Sequence, residues 1–234
     1  MNKTSIALIT GANRGIGLEV AKALAKRSFH VLMAVRNPQK SEEILPLHPE
    51  LQENATIIEC DVSDPGSIRY AAKQISSLVS RIDVLINNAA IFDKEDSSIQ
   101  RIGAELILDT FKTNTVGPIL ITQAFLPLLL QSPEARIINV SSGAGALNQM
   151  LHWAPAYSIS KTALNAVTRQ FAFALQPKGI AVNSVDPGWV KTEMGGAQAP
   201  RNVEQGAETI IWLATEAPID ITGKFIHDKK VIDW

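Results

Sequence analysis

The sequence has few of the features that mark secreted, membrane-bound or nucleic-acid-binding proteins. Cys60 is its only cysteine, so no internal disulfide can form, and we expect a protein of a reducing compartment, the cytoplasm. The formal net charge of −1 gives no electrostatic reason to predict binding to nucleic acid or to an anionic membrane surface. These absences point to an intracellular globular protein.

Long hydrophobic runs are missing as well. The longest apolar stretch, Gly117 to Leu130, is interrupted by proline and by polar residues, and it falls short of the ~20 residues that a membrane span requires. The first apolar run, Ile6–Ile9, is too short for a signal peptide and predicts a strand. We therefore expect no association with a membrane.

The histidines give no sign of a metal site. They lie at positions 30, 48, 152 and 227, and none has the spacing to a carboxylate or to Cys60 that metal ligands show. We predict no bound metal.

What the sequence does contain is an alternation of short apolar runs and longer helical patterns. The predicted strands are Ile6–Thr10, Val31–Val35, Thr56–Cys60, Val84–Asn87, Arg136–Val140, Ala181–Val185 and Lys224–Ile226. The predicted helices are Gly15–Lys26, Pro65–Leu78, Ile99–Thr113, Gly117–Leu130, Ala156–Leu175 and Val203–Leu213. Because the strand runs are continuously apolar, they indicate strands buried on both faces. The pattern predicts an α/β fold: a single Rossmann-type, doubly wound parallel sheet of about seven strands with helices on both faces, forming one domain over residues 1–234.

Three segments break this alternation. Glu42–Asn54 contains two prolines and predicts a polar connection, and Met194–Asn202, rich in Gly, Ala and Pro, predicts a mobile loop. The charge run Asp93–Asp96 predicts a solvated loop.

A glycine-rich turn follows the first strand and opens the first helix. Its candidate cofactor-binding residues are Gly11, Asn13, Arg14, Gly15, Ile16 and Gly17. Glycines at this place allow a tight turn, so that backbone N–H groups and a helix N-terminus can meet a pyrophosphate. The alternative is a strand–helix turn that uses glycine only for close packing.

The end of the second strand bears on the choice of cofactor. NAD sites usually carry an acid about 20 residues past the glycines, but here Val35 stands in its place and Arg36 follows. A missing carboxylate removes repulsion against a 2′-phosphate, and the fork of Arg36 can bind one, with Arg14 approaching from the other side. The pattern therefore favours NADP over NAD, unless Arg36 is only a surface residue that begins a loop.

Two further strand ends predict contacts with the cofactor. Asp61 and Val62 follow the third strand, where the Asp61 carboxylate could accept a hydrogen bond from an adenine amino group. Asn88 and Ala89 follow the fourth strand, where small residues allow the cofactor to approach the backbone. Asp64, before Pro65, predicts a helix N-cap instead.

Tyr157 and Lys161 form the candidate acid–base pair. On a helix, positions i and i+4 share a face, so the phenol and the ammonium can point into one site. A lysine charge is expected to lower the pKa of a neighbouring tyrosine, which makes it a usable general acid or base. Taken alone the spacing is weak, and its value comes from the Gly-rich turn, the strand end at Asn88 and the preceding Ser142.

Taken together, these motifs resemble the short-chain dehydrogenase/reductase family along almost the whole chain. The matching stretches are Thr10–Gly17, Asp61, Asn87–Ala90, Asn114, Ser142, Tyr157–Lys161 and Pro187-Gly188. Two departures stand out: Ala90 replaces the usual Gly, and the spacing from Ser142 to Tyr157 is slightly long. Alignment through the strand end favours Ser142 over Ser141.

The resemblance implies a role for each matching residue. Tyr157 would donate a proton to a carbonyl oxygen that Ser142 holds, and Lys161 would lower the pKa of Tyr157 and bind the nicotinamide ribose. Asn114 would anchor a water that links Lys161 to solvent. The remaining cofactor contacts would come from Pro187, Gly188, Val190 and Thr192.

Within the family, the segments Asp186–Thr192, Gln205–Thr209 and Val231–Trp234 are most similar to NADPH-dependent carbonyl reductases. This likeness implies reduction of aldehydes and ketones, a small-molecule carbonyl substrate, and NADPH/NADP as cofactor. The alternatives are an NAD-linked alcohol or hydroxysteroid dehydrogenase and a non-catalytic NAD(P)H-binding sensor.

The expected substrate pocket includes Ser142, Tyr157 and Trp153. Its walls would come from Ile91–Phe92, Gly143–Trp153 and the loop Met194–Pro200, which is a candidate lid. Some relatives carry a long insertion before the catalytic tyrosine that covers a subunit interface, and this chain lacks it. Helices in Ile99–Leu130 and Ala156–Leu175 would then be free to pair in a dimer or tetramer, with ordinary core packing as the alternative.

Overall fold

The computed structural model describes residues 4–150 and 152–234, so residues 1–3 of the predicted domain lie outside it. The strands are β1 (Ile6–Thr10), β2 (His30–Val35), β3 (Ala55–Glu59), β4 (Val84–Asn87), β5 (Arg136–Val140), β6 (Ala181–Val185), β7 (Phe225–His227) and β8 (Lys230–Ile232). The helices are α1 (Gly15–Ala25), α2 (Pro38–Glu42), α3 (Pro49–Gln52), α4 (Pro65–Leu78), α5 (Ala104–Phe111), α6 (Gly117–Leu129), α7 (Pro155–Leu175) and α8 (Val203–Thr215). Between α5 and α6 the backbone forms a π-helical turn, Lys112–Val116.

The strands form one mostly parallel sheet in the order β3-β2-β1-β4-β5-β6-β7-β8. Strands β1 to β7 pair in parallel, and β8 pairs antiparallel to β7. The chain crosses from β3 back past β1 to β4, which is the reversal of direction that opens a crevice at the carboxyl edge of a doubly wound sheet. The predicted Rossmann-type fold is confirmed, with one strand more than expected.

Alternate residues of the strands pack against two separate helical layers. Ile9 and its neighbours on one face of the sheet contact α1 and α8, for example at Leu24 and Ile210. Leu8 lies on the other face, against α4 and α6 at Ile75 and Phe125. Because both faces are covered, the strands read as continuous apolar runs, as the sequence predicted.

A chain of buried hydrogen bonds fixes helix α7 to the sheet. Asn87 Nδ2 donates to Asn139 Oδ1 at 2.8 Å, and Asn139 Nδ2 donates to Thr168 Oγ1 at 2.8 Å. Thr168 Oγ1 also lies 2.7 Å from Ser184 Oγ. Strands β4, β5 and β6 are thereby joined to the middle of α7, which carries the predicted acid–base pair at its N-terminal end.

The helix starts follow local sequence signals. Asp64 caps α4, as predicted, because its carboxylate accepts from the N–H groups of Gly66 and Ser67. Asn202 and Gln205 form a capping box at the start of α8. Among the residues described, no helix is both long enough and apolar enough to cross a membrane.

The boundaries differ from the predicted ones in a few places. The expected helix Ile99–Thr113 begins only at Ala104 and then becomes the π-helical turn. The expected connection Glu42–Asn54 contains the short helix α3 and a 3₁₀ turn at Leu45–Leu47. The missed strand β8 is three residues long, too short for a periodic signal.

Candidate active site

The carboxyl ends of the strands open into a cleft of about 1680 Å³. It is lined by nearly all residues that the sequence suggested: Gly11, Asn13, Arg14, Gly15, Ile16, Gly17, Arg36, Asp61, Val62, Asn88, Ala89, Ser142, Trp153, Tyr157, Lys161, Pro187, Gly188, Val190 and Thr192. Asn114 is the exception, because it is fully buried behind the cleft wall. Elements that are far apart in sequence therefore place the candidate residues along one crevice.

The glycine-rich turn has no space for side chains. Gly11 has a φ of +65°, and a Cβ on Gly17 would lie 2.4 Å from the carbonyl oxygen of Gly11. Asn88 Nδ2 donates to the carbonyls of Thr10 and Gly11, at 2.9 and 3.1 Å, which ties the end of β4 to the turn. No side chain caps the first N–H groups of α1, so these donors face the cleft as an anion site requires.

Two basic residues stand at the far end of the cleft from Tyr157. Arg36 is exposed directly after β2, and Lys40 lines the same region from α2. Sequence reasoning missed Lys40; the Asn37–Pro38 helix start, which holds it four residues past Arg36, is the signal that could have identified it.

Arg14 does not point freely toward this end of the cleft. Its guanidinium forms an ion pair with the carboxylate of Glu193, on the segment after Val190. Asp61 also has local partners, since its Oδ1 accepts from the Ser63 N–H at 2.8 Å and from the Ser63 hydroxyl at 2.7 Å. These contacts orient both residues beside the cleft.

Tyr157 lies in the first turn of α7, where three side chains surround its ring. The side chain of Ser142 lies close enough to the phenol to lower its pKa. The ring of Phe92 packs edge-on against it with centroids 5.6 Å apart, and Lys161 Nζ lies 5.6 Å from the Tyr157 ring centroid. Ser141, in contrast, is buried and donates to the carbonyl of Lys161 at 3.3 Å, so it faces away from the phenol.

The ionisation of this pair differs from the expectation. Burial raises the pKa of Tyr157 to about 12; the hydrogen bond from Ser142 opposes this, and the negative charge of Asp186 adds to it. Burial also lowers the pKa of Lys161 to about 7. The predicted lowering of the Tyr157 pKa is therefore wrong for this structure, because desolvation raises the pKa and the charge of Lys161 is not among the causes of the shift.

Asn114 lies in the π-helical turn and joins two elements around the site. Its Oδ1 accepts from the N–H of Ile91 at 2.8 Å, while its Nδ2 donates to the Ile91 carbonyl and to Ser160 Oγ, at 2.9 and 3.1 Å. Both amide hydrogens are thus used within the protein. Asn114 is thereby bonded to Ser160, the residue that precedes Lys161 in the sequence.

The expected solvated loop Asp93–Asp96 is only partly solvated. Asp93, Lys94 and Glu95 are exposed, but Asp96 is buried and accepts from two backbone N–H groups at the start of α7. The prediction is wrong for Asp96, since a run of charges gave no sign that one of them is a helix cap.

The other end of the cleft, beside Tyr157, is largely aromatic. Trp153 lines it with 45% of its surface exposed, together with Phe92 and Trp189. Trp189 Nε1 donates to the carbonyl of Gly195 at 2.7 Å, which ties the loop after β6 into a fixed shape. Leu151, within the predicted wall Gly143–Trp153, lies outside the described residues.

Asp186 is a cleft residue that the sequence analysis did not assign to the site. Its Oδ1 accepts from the Gly188 N–H at 2.9 Å, and its Oδ2 lies 3.0 Å from His227 Nδ1. A Cβ on Gly143, the neighbour of Ser142, would lie 3.1 Å from Asp186 Oδ2. Across residues 4–150 and 152–234, His, Cys, Asp and Glu side chains form no cluster that could hold a metal ion.

Known proteins share this sequence pattern and fold. A model of the family described as short chain dehydrogenase matches residues 5–203. The short-chain dehydrogenase anuI of Penicillium roqueforti is 33% identical over an alignment covering 97% of this chain and 95% of that protein. Carbonyl reductase (NADPH) 1 of Sus scrofa is 30% identical, with 100% of this chain and 95% of that protein covered. The crystal structure of NADPH-bound carbonyl reductase from chicken fatty liver superposes with a TM-score of 0.91, at 31% identity, covering 99% of this chain and 100% of that chain.

Proposed function

Because the chain belongs to the short-chain dehydrogenase family, we propose that it is an NADPH-dependent oxidoreductase that reduces aldehydes and ketones. The observation that carries the proposal is the Tyr157 phenol, which shares one cleft with Ser142, Lys161, Arg36 and the glycine-rich turn. A carbonyl oxygen that gains negative charge needs a proton donor and an orienting hydroxyl, and this site supplies both.

The residues present fit NADPH. The uncapped N-terminus of α1 suits a pyrophosphate, and the close contact of Gly17 with the carbonyl of Gly11 keeps the turn tight before it. Arg36 and Lys40 suit the 2′-phosphate. When bound, NADPH supplies the hydride that the carbonyl carbon accepts.

Tyr157 is the proposed proton donor. A pKa of about 12 keeps its phenol protonated near neutral pH, so it enters the reaction as an acid rather than as a base. Ser142 donates its hydroxyl hydrogen to the same carbonyl oxygen and orients it. As Tyr157 gives up its proton, the Lys161 ammonium offsets the negative charge left on the phenolate.

The path that restores the proton is proposed to run through Lys161. Its Nζ donates to the carbonyl of Val140 at 2.8 Å and keeps two further hydrogens for exchange. Asn114 binds the backbone of Ile91 and the side chain of Ser160, which precedes Lys161 in the sequence, and we propose that the linking water lies beside Asn114.

The direct test is oxidation of NADPH across aldehydes, ketones, quinones and keto esters. We expect turnover with neutral carbonyl compounds and a much smaller rate with NADH. Equal rates with the two cofactors would contradict phosphate recognition and favour an NAD-linked alcohol or hydroxysteroid dehydrogenase. Tight NADPH binding without turnover of any compound would favour a sensor.

Residues 1–234 are proposed to form one catalytic domain, which acts in the cytoplasm as a homo-oligomer. Exposed apolar side chains lie along the neighbouring elements α5, the π-helical turn and α7, at Leu108, Val116 and Ile159. Covering them against a second copy would remove apolar surface from water. Light scattering that gives only the 25.3 kDa monomer would contradict the oligomer.

A further inference from the structure

Asp96 is a buried acid that the proposed chemistry does not use. Only 3% of its surface is exposed, although its neighbours Asp93, Lys94 and Glu95 face solvent. Its Oδ1 accepts from the N–H of Ala156 at 3.0 Å, and its Oδ2 accepts from the N–H of Tyr157 at 2.8 Å. A carboxylate that is withdrawn from water in this way is uncommon unless it is fully hydrogen-bonded.

Helix α7 needs this carboxylate because its own sequence provides no cap. The N-cap residue is Ala154, which has no side-chain acceptor and lies in the left-handed region at φ 51°, and Pro155 follows it. The N–H groups of Ala156 and Tyr157 would otherwise remain unpaired at a largely buried helix start. Asp96 therefore supplies from 60 residues away the cap that Ser, Thr, Asp or Asn normally supplies locally.

The segment that carries Asp96 holds the catalytic end of α7 at two other points. The backbone of Ile91 is held by Asn114, which also donates to Ser160 Oγ, one turn past Tyr157. The ring of Phe92 packs edge-on against the Tyr157 ring. Residues 91–96, the clamp segment, thus fix Tyr157 by its ring, by its backbone N–H and through the next turn of the helix.

We propose that Asp96 is a positioning residue, which holds the backbone of Tyr157 so that its phenol stays in line with Ser142 and Lys161. The inference rests on the proposed function, since it assigns to Asp96 the placement of the proton donor of that reaction. The two hydrogen bonds to Asp96 fix the position of the first turn of α7 along the helix axis and its rotation about that axis. An error of about 1 Å in the placement of a reacting group costs on the order of 100-fold in rate.

A structural cap and a positioning cap are told apart by comparing two helices. Asp64 caps α4 in the same way, with Oδ1 on the Gly66 N–H and Oδ2 on the Ser67 N–H, but α4 carries no proposed site residue. The experiment measures kcat, the KM for the carbonyl substrate and the dissociation constant for NADPH in Asp96→Ala, Asp96→Asn and Asp64→Ala. Glu95→Gln, at the exposed neighbour, controls for loss of charge in the clamp segment.

We expect Asp96→Ala to lower kcat by about 10- to 100-fold while both binding constants change by less than about threefold. Asp96→Asn should fall between Asp96→Ala and the wild type, because its amide oxygen still accepts one N–H bond but its NH₂ group accepts none. Asp64→Ala should lower the melting temperature with kcat unchanged, and Glu95→Gln should alter neither.

Several results would overturn the inference. A folded Asp96→Ala with kcat within about twofold of the wild type would do so, as would an equal loss of kcat in Asp64→Ala. If Asp96→Ala does not fold, Asp96→Asn decides: a reduced kcat with unchanged NADPH affinity supports positioning, and an unchanged kcat refutes it. A wild type that turns over no carbonyl compound refutes the proposed reaction instead.

A second measurement does not depend on turnover. The chain has two tyrosines, so ring-labelled tyrosine in a Tyr70→Phe background reports on Tyr157 alone. Nuclear magnetic resonance should give one sharp ring signal with Asp96 present and a broadened or split signal in Asp96→Ala. An unchanged signal would show that Asp96 does not position the phenol.

Discussion

The Nζ atom of Lys161 lies 5.6 Å from the centroid of the Tyr157 ring and donates a 2.8 Å hydrogen bond to the carbonyl of Val140. The lysine is buried, and among residues 4–150 and 152–234 no carboxylate forms an ion pair with its ammonium. Burial therefore lowers its pKa from the ordinary 10.5 to about 7. Lys161 therefore carries the positive charge that supports Tyr157 mainly below about pH 7.

This relationship predicts a pH dependence for carbonyl reduction. The Lys161 ammonium is lost as the pH rises through about 7, and with it the charge that offsets the Tyr157 phenolate. We expect kcat/KM, which reports the ionisation of the site before substrate binds, to fall above this pH, and Lys161→Arg, which stays charged, to remove the fall at a lower overall rate. Initial rates from about pH 5 to 9 measure this profile. A wild-type rate that is flat or rising across that range would contradict the assignment.

Arg36 and Lys40 are expected to select the cofactor. Each contact between a basic side chain and a phosphate is worth about 1.5–3 kcal/mol, or on the order of 10- to 100-fold in affinity. Arg36→Ala and Lys40→Ala should each raise the KM for NADPH by about that factor and leave the KM for NADH unchanged. Arg27→Ala, at an exposed site outside the cleft lining, is the matched control. Parallel changes for both cofactors would rule out 2′-phosphate recognition.

Gly17 is predicted to be indispensable for cofactor binding. In Gly17→Ala the new Cβ would lie 2.4 Å from Gly11 O and 2.5 Å from Asn88 Nδ2, so the glycine-rich turn must open. We expect NADPH affinity to fall by more than tenfold, since the N–H groups of α1 lose their alignment. Gly103→Ala, where a Cβ meets nothing within 4 Å, should bind NADPH normally. Fluorescence titration measures the NADPH affinity of both variants. An equal affinity in Gly17→Ala and Gly103→Ala would contradict the assigned role of the turn.

Ser28 offers a test of the fold away from the site. It lies in the turn that follows α1, at φ 63°. Its N–H donates to the carbonyl of Ala25 and the N–H of Phe29 donates to the carbonyl of Leu24, a helix-ending pattern that favours glycine. Ser28→Gly should raise the free energy of unfolding by about 1 kcal/mol, because glycine adopts this conformation without strain. Ser76→Gly, inside α4, should lower it by about the same amount. Urea unfolding measures the free energy of unfolding of both variants. A Ser28→Gly variant less stable than the wild type would contradict the described helix end.

The sequence predicted the fold well because its signals are local. Continuous apolar runs located β1 to β7, and Asp64–Pro65 marked the start of α4. Strand β8 was missed because three residues carry no period, and it forms only by pairing with β7. The π-helical turn was missed because the residues of Lys112–Val116 carry no local signal that distinguishes it from an α-helix.

The candidate site was predictable as a set of residues but not as an electrostatic environment. Spacing brought Tyr157 and Lys161 to one helix face, yet it carried no information on burial, which reverses the expected shift of the Tyr157 pKa. The ion pair of Arg14 with Glu193 and the cap from Asp96 both join segments distant in sequence. Such contacts follow from the packing of loops, which periodicity does not describe.

The central claim is that Tyr157 gives its proton to a carbonyl that NADPH reduces. The most direct measurement is NADPH oxidation with a neutral ketone by the wild type and by Tyr157→Phe, together with NADPH affinity of both. We expect Tyr157→Phe to lose about 100- to 10,000-fold in kcat while its dissociation constant for NADPH stays within about threefold. Turnover by Tyr157→Phe at the wild-type rate would contradict the account.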